Sequence, residues 1–291
     1  MLEWKRQSHG KSMVLVCDNF THAKHTIDIN FNELNKFTNV VLTPIRRVVK
    51  PGRTQILKLN QLDKPFGGRI QWYVSKGCAT QFPDTSVVYL LPVAPGKTTS
   101  ITSIHTINED TKEITAEEDY YAMAFTMTRG DTVFSARKGV VTEVGNELNQ
   151  GYVSNTASDN PLNTLEIMHD DCSFANYWSF KKGEVFVKVG QRVEAGTPLG
   201  IIESDAFDEG TQLRFHVRYN NVRQKETIGL DRLREPVLFV NNSWGYVKSI
   251  FWTLQDGATL LEDELIYKSE HPDELVIQEM NKRQTKRFLN N

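Results

Sequence analysis

Gly183-Glu-Val-Phe-Val-Lys-Val-Gly-Gln-Arg-Val-Glu-Ala-Gly-Thr-Pro-Leu-Gly-Ile-Ile202 leaves its backbone little freedom. Val185, Val187 and Val189 alternate with Glu184, Phe186 and Lys188, the period of a strand with one buried face. Gly190 supplies a turn, Val193 points back to a core, and Gly196 supplies a second turn. Leu199 to Ile202 then leaves as another strand. The segment therefore predicts a strand–turn–strand–turn–strand unit, the local form of a compact and strongly curved sheet.

The flanking sequence is β-rich as well. Ala122 to Tyr219 is Val-rich and punctuated by Gly130, Gly139 and the glycines above. Upstream, His25–Phe31, Gln55–Leu59, Ile70–Val74 and Val87–Leu91 alternate in the strand period, and Val40-Val41-Leu42 is a short apolar run closed by Pro44. Short strands split by turns such as Pro51-Gly52 indicate an antiparallel, immunoglobulin-like β-sandwich over residues 1–100. Residues 101–119 are polar and aperiodic and read as a linker or long loop into a second domain, 101–225. The tail, 226–291, holds one more strand, Arg234–Val240, and a helix over Glu270–Leu289. Pro272 stands near that helix's start, its acids come first, and Lys282, Arg283, Lys286 and Arg287 come late, an order that suits the helix dipole. The basic cluster reads as a solvated helix end. The fold class is all-β with a short carboxyl-terminal helix.

The chain has 291 residues, enough for two modest domains with extensions, and 39% are apolar, enough for real cores. Its formal net charge of −2 argues against a broad nucleic-acid footprint or a general pull toward anionic membranes. No run is long enough to span a bilayer as a helix. Met1–Gly10 has charges without an apolar run behind them, so it is not a signal peptide. Cys17, Cys78 and Cys172 form no CxxC pair and read as small buried side chains, with at least one free thiol in a monomer.

The pattern V-x-V-G-x-x-V-x-x-G-x-x-[LI]-G of residues 187–200 resembles duplicated-hybrid-motif proteins: LytM-type peptidases, biotin and lipoyl carriers, and a glucose-type phosphotransferase domain. Three further pieces, in the family's order, are similar to the LytM (lysostaphin-type) zinc endopeptidases of peptidoglycan. Gly130-Asp-Thr-Val-Phe-Ser-Ala-Arg-Lys-Gly-Val-Val141 resembles G-T-P-V-x-A-x-x-x-G-x-V. Leu165-Glu-Ile-Met-His-Asp170 resembles V-x-I-x-H-x, and Leu213-Arg-Phe-His-Val-Arg218 resembles the terminal H-L-H-F-E-V strand. The resemblance covers Tyr120 to Tyr219. The amino half, with its Tyr89-Leu-Leu-Pro92 exit, is similar to the sandwich that precedes this domain in an exported subgroup.

The resemblance implies a zinc held by two His and one Asp, with further His handling protons. At those positions this chain departs from the family. Ala124 of Tyr121-Ala-Met-Ala-Phe125 stands where the Asp is expected. Gln212 and Arg214 take the H-x-H pair, and Ser179 of Tyr177-Trp-Ser179 takes the Y-x-H histidine. The run before Tyr120 offers no His between Ile107 and Tyr121. Methyl, amide, hydroxyl and guanidinium groups make a poor zinc set. The implied protein is a degenerate, non-catalytic member, exported to the periplasm or cell envelope, that binds peptidoglycan or regulates a cell-wall hydrolase. No cofactor is expected. Its binding groove would be rimmed by Tyr177, Trp178, Arg214, His216 and Arg218. The alternative is an active zinc endopeptidase with relocated ligands, for which His169 and His216 are the candidates. A carrier domain would need a lysine at the hairpin tip Glu203-Ser-Asp-Ala-Phe-Asp-Glu-Gly210, which has acids and no Lys. Phosphate-loop, nucleophile-elbow and H-E-x-x-H motifs are absent. Asp205, Asp208 and Glu209 read as an exposed acidic loop, not a calcium site.

Overall fold

The computed structural model describes residues 2–6, 12–31, 45–60, 70–104, 106–107, 114–115, 120–145, 163–203, 211–221 and 244–290. The strands expected at 40–42 and 234–240, and the acidic tip 204–210, lie outside the described residues. The described residues are mostly β-strand, with two short helices. It divides into two compact units, one of Met1–Phe82 with Asn220–Trp244 and one of Pro83–Tyr219 with Gly245–Asn291.

The first unit is a β-sandwich. β1 (Leu2–Arg6), β2 (Ser12–Asn19), β3 (His25–Phe31), β4 (Ile45–Val49), β5 (Gly52–Asn60) and β6 (Ile70–Lys76) form two antiparallel sheets, β1-β2-β5 and β4-β3-β6. Leu15, Cys17 and Ile56 from one sheet meet Ile27, Ile29, Ile45 and Val49 from the other in a single core. Alternation in the sequence placed these side chains, since every second residue of a strand faces inward. Cys17 is a buried free thiol, whereas Cys78 and Cys172 are disulfide-bonded. The expectation of three simple apolar cysteines is corrected on that point, because spacing along the chain does not reveal a disulfide.

The second unit opens with β7 (Val88–Leu90), β8 (Thr98–Ile104), β9 (Thr106–Ile107), β10 (Ile114–Thr115) and β11 (Ala122–Thr126). β12 (Thr132–Phe134), β13 (Gly139–Gly145), β14 (Thr164–Met168), β15 (Phe174–Trp178), β16 (Phe180–Val185), β17 (Arg192–Val193), β18 (Pro198–Ile202) and β19 (Gln212–Asn220) follow. β20 (Trp244–Tyr246), β21 (Ile250–Thr253), β22 (Gly257–Thr259), β23 (Ile266–Lys268), α1 (Asp273–Ile277) and α2 (Lys282–Leu289) complete it. The large sheet runs β17-β13-β14-β15-β19-β11-β8-β23, with β20 beside β19. A smaller sheet, β12-β18-β16, contributes Val133, Leu199, Ile202 and Phe180 to a core shared with Leu165, Ile167, Tyr177, Phe215 and Phe125 of the large one. Residues 101–104, expected in a linker, extend β8 inside the large sheet.

The glycine turns fall where the spacing predicts, but the alternating strand expected through Val185, Val187 and Val189 ends at Val185. Gly190 and Gly196 take positive φ of 86° and 79° and separate β16, β17 and β18. The Gly190 N–H donates to the Val141 carbonyl and the Gly196 N–H to that of Ser135, both at 2.8 Å, so this half clasps the Gly130–Val141 half. Val187, Val193, Leu199 and Ile202 are buried; Val189 is exposed. Fully burying such a side chain is worth about 1.5–3 kcal/mol.

The expected single helix over Glu270–Leu289 is two helices. The Asn281 side chain accepts from the N–H groups of Arg283 and Gln284, while Gln284 accepts from the Asn281 N–H. That reciprocal box starts a new helix at Asn281 and so ends the first.

Candidate functional site

β19 is the organising strand. It lies between β11 and β15, so Arg214 gains a cross-strand neighbour on both sides. Arg214 sits opposite Ala124 on β11 and opposite Trp178 on β15. His216 is opposite Asn176, which is in turn opposite Glu166 of β14. Arg218 is opposite Phe174. Because side chains alternate, Arg214, His216, Arg218, Trp178, Asn176 and Glu166 share one sheet face, while Leu213, Phe215, Val217 and Tyr177 take the core face.

The polar face is a packed row. The His216 ring meets Trp178 edge-on at 4.7 Å and Tyr246 at 5.2 Å, and Tyr246 meets Tyr120 at 4.8 Å. His216 is 8% exposed, and among the described residues nothing hydrogen-bonds its Nε2. Burial, then the Arg218 charge, pushes its pKa down to about 3, so it is neutral at physiological pH. Glu166 is buried, accepting from Arg218 at 2.9 Å and from the Thr142 hydroxyl at 2.6 Å. Arg214 is half-buried; burial lowers its pKa, against the nearby Tyr120 hydroxyl. Arginine stays charged all the same.

The two positions expected to carry a zinc aspartate and histidine are therefore direct cross-strand partners, and they hold a methyl and a guanidinium. Gln212, opposite Thr126, lies two residues before Arg214 on the same strand. Ser179 follows β15 at a positive φ of 85°, with its hydroxyl buried and no hydrogen-bond partner among the described residues. A zinc site needs about three lone-pair donors around one point. These residues do not provide them, and among the described residues no group of three His, Cys, Asp or Glu side chains is placed to hold a metal ion.

Two expectations need revision. Tyr177 does not rim the groove: it points into the core, where its hydroxyl accepts from the Ala136 N–H at 3.0 Å. His169 and His216 do not meet. His169 directly follows β14 on the core side, where its Nδ1 lies 2.7 Å from the Lys138 carbonyl and its ring packs on Tyr89, whereas His216 is on the polar face. Burial, then Arg137, holds the His169 pKa at about 3.

Sequence reasoning missed Glu166, Tyr120 and Tyr246 on the polar face. A charged residue inside the apolar Leu165-Glu-Ile167 run was the available signal for Glu166, since a buried carboxylate requires a partner. It also missed Arg137. That residue is 1% exposed, holds Glu279 through both carboxylate oxygens at 2.7 and 2.9 Å, and donates to Asp171 at 2.8 Å and Tyr89 at 3.0 Å. Burial opposes its charge, but these partners raise its pKa further.

Residues 118–226 match the profile of Peptidase family M23. No curated protein matches this chain. Among solved structures, the catalytic domain of lysostaphin from Staphylococcus simulans is 19% identical over 42% of this chain and 78% of its own, with a TM-score of 0.29. A zinc-containing peptidase from Vibrio cholerae is 12% identical, covering 74% of this chain and 81% of its own, with a TM-score of 0.33. Helicobacter pylori Csd3 is 12% identical, covering 99% and 82%, with a TM-score of 0.33. This chain spans 44% of the length of the lysostaphin solution structure. The similarity of this chain to peptidase family M23 lies in residues 118–226.

Proposed function

We propose that this protein is a non-catalytic LytM-like component of the cell envelope, which uses the polar face of β19 to bind peptidoglycan or to regulate a cell-wall hydrolase. One observation carries the reading: Ala124 and Arg214 face each other where a zinc aspartate and histidine are expected. A guanidinium about 4 Å from a dication would repel it by about 8 kcal/mol at an effective dielectric constant of 20. No carboxylate from Ala124 offsets that. The part-exposed Arg214 and Trp178 suit recognition instead. A cation and an aromatic edge fit a peptide with amide and carboxylate groups. The disulfide-bonded Cys78 and Cys172 are consistent with an oxidising, exported setting.

The test uses the full chain, dialysed against micromolar zinc and then against buffer. Elemental analysis is expected to give far less than one zinc per chain, with no release of peptide from purified sacculi. A tightly held stoichiometric zinc would overturn the reading in favour of relocated ligands. The same preparation is then mixed with sacculi. Retention that Arg214→Gln reduces at least tenfold supports peptidoglycan binding, and retention unchanged by it removes the β19 face from the proposal.

A further inference from the structure

The carboxyl-terminal helix α2 has a basic face that makes no ion pair among the described residues. In Lys282-Arg-Gln-Thr-Lys-Arg-Phe-Leu289 there is no acidic residue. At about 100° per residue, Lys282, Lys286, Arg283 and Arg287 fall within an arc of about 140°, and Leu289 lies at the edge of that arc beside Lys282. Gln284, Thr285 and Phe288 occupy the other side. Exposure follows this division: the four cations and Leu289 are exposed, while Gln284, Thr285 and Phe288 are half-buried. Gln284 turns inward to Glu194 at 3.3 Å.

The four cations make no ion pair among the described residues, and they are stacked against one another. Lys282 with Lys286 and Arg283 with Arg287 are like-charge pairs one turn apart, a spacing that disfavours a helix. The helix persists because Asn281 and Gln284 cap it and its inner side is docked. A chain of formal net charge −2 thus concentrates four positive charges on two turns. Leu289, 61% exposed, is an apolar side chain at the rim of the same face. Cations bordered by an exposed apolar side chain suit an interface with charge at the surface and hydrocarbon just beneath it.

We infer that the outward face of α2 is a docking surface for an anionic lipid bilayer, with Lys282, Arg283, Lys286 and Arg287 on the headgroups and Leu289 in the interfacial layer. This surface is separate from the β19 face and does not depend on what that face binds. Each cation strengthens adsorption to an anionic membrane, and the attraction fades within the screening length of the salt.

The full chain is sedimented with vesicles of phosphatidylcholine alone or with 30% phosphatidylglycerol, at about 0.1 and 0.5 M salt. Binding is expected only to the phosphatidylglycerol vesicles, and it should weaken at least tenfold at the higher salt. The variant K282Q/R283Q/K286Q/R287Q should lose at least tenfold in affinity while melting no lower than the wild type, since its four side chains make no ion pair among the described residues and the like-charge pairs are relieved. Leu289→Ser, which leaves the charge alone, should lose severalfold. Failure of the wild type to bind, or equal binding by the fourfold variant, overturns the inference. If Leu289→Ser binds vesicles like the wild type and soluble polyphosphate competes equally, the face recognises polyanions and the bilayer assignment is overturned.

Discussion

His216 shows what a single residue on the β19 face does to the energetics. Its folded pKa of about 3 lies below the usual value near 6.5. The unfolded chain therefore binds the proton more readily, and folding stability falls as pH drops from about 6.5 toward 3. His169, also near 3, adds a second contribution of the same sign. His216→Phe keeps the edge-on stacking with Trp178 and Tyr246 and removes one titrating group. Urea unfolding of the variant should show a smaller pH slope than the wild type across that window, with little change above pH 7. Asp171 differs. Burial would raise its pKa, but Arg137 holds it at about 2. Its contribution of about 2 kcal/mol is present above about pH 4 and is lost as pH falls toward 2. Both imidazoles were visible as residues in the sequence. Their protonation states were not, because burial and neighbouring charge set them.

At the scale of elements, close approach of backbones made the sequence legible. A methyl on Gly200 would stand 2.6 Å from the Glu184 carbonyl and 2.9 Å from the Phe180 ring, so β16 and β18 pack this closely only over a glycine. Gly200→Ala is expected to destabilise the protein by about 2 kcal/mol in chemical denaturation. A loss near zero would mean that β16 shifts freely. The glycine spacing thus marks the turns of this segment, whereas the alternating valines overstate the length of β16. The tail was harder to read. Asn281-Lys-Arg-Gln284 is a capping signal inside what looked like one helix, and it was overlooked because dipole order alone does not reveal a restart.

At the scale of the second unit, the carboxyl-terminal segment is fastened by charge to the connection between β12 and β13. Glu279 grips Arg137 from 142 residues away in sequence, and its carbonyl accepts from Lys138 at 2.7 Å. Arg137→Met strands Asp171 and Glu279 and should cost about 3 kcal/mol. The double variant Arg137→Met with Glu279→Leu should recover much of this, and a double-mutant cycle by urea unfolding checks it. Near-additive losses would show that the pair is not coupled.

Pattern alone predicted the all-β class and the glycine turns of residues 183–202, and the expected zinc positions came from the resemblance to the LytM family, motif by motif. Those features are local, because period, turn chemistry and side-chain donors belong to short stretches of chain. Tertiary structure alone decided that Ala124 and Arg214 are direct partners, that Tyr177 turns inward, that His169 and His216 lie on opposite faces, and that Arg137 is buried between Asp171 and Glu279. Each of these depends on strand register or on residues far apart in sequence, and register is settled by packing the whole sheet against its core.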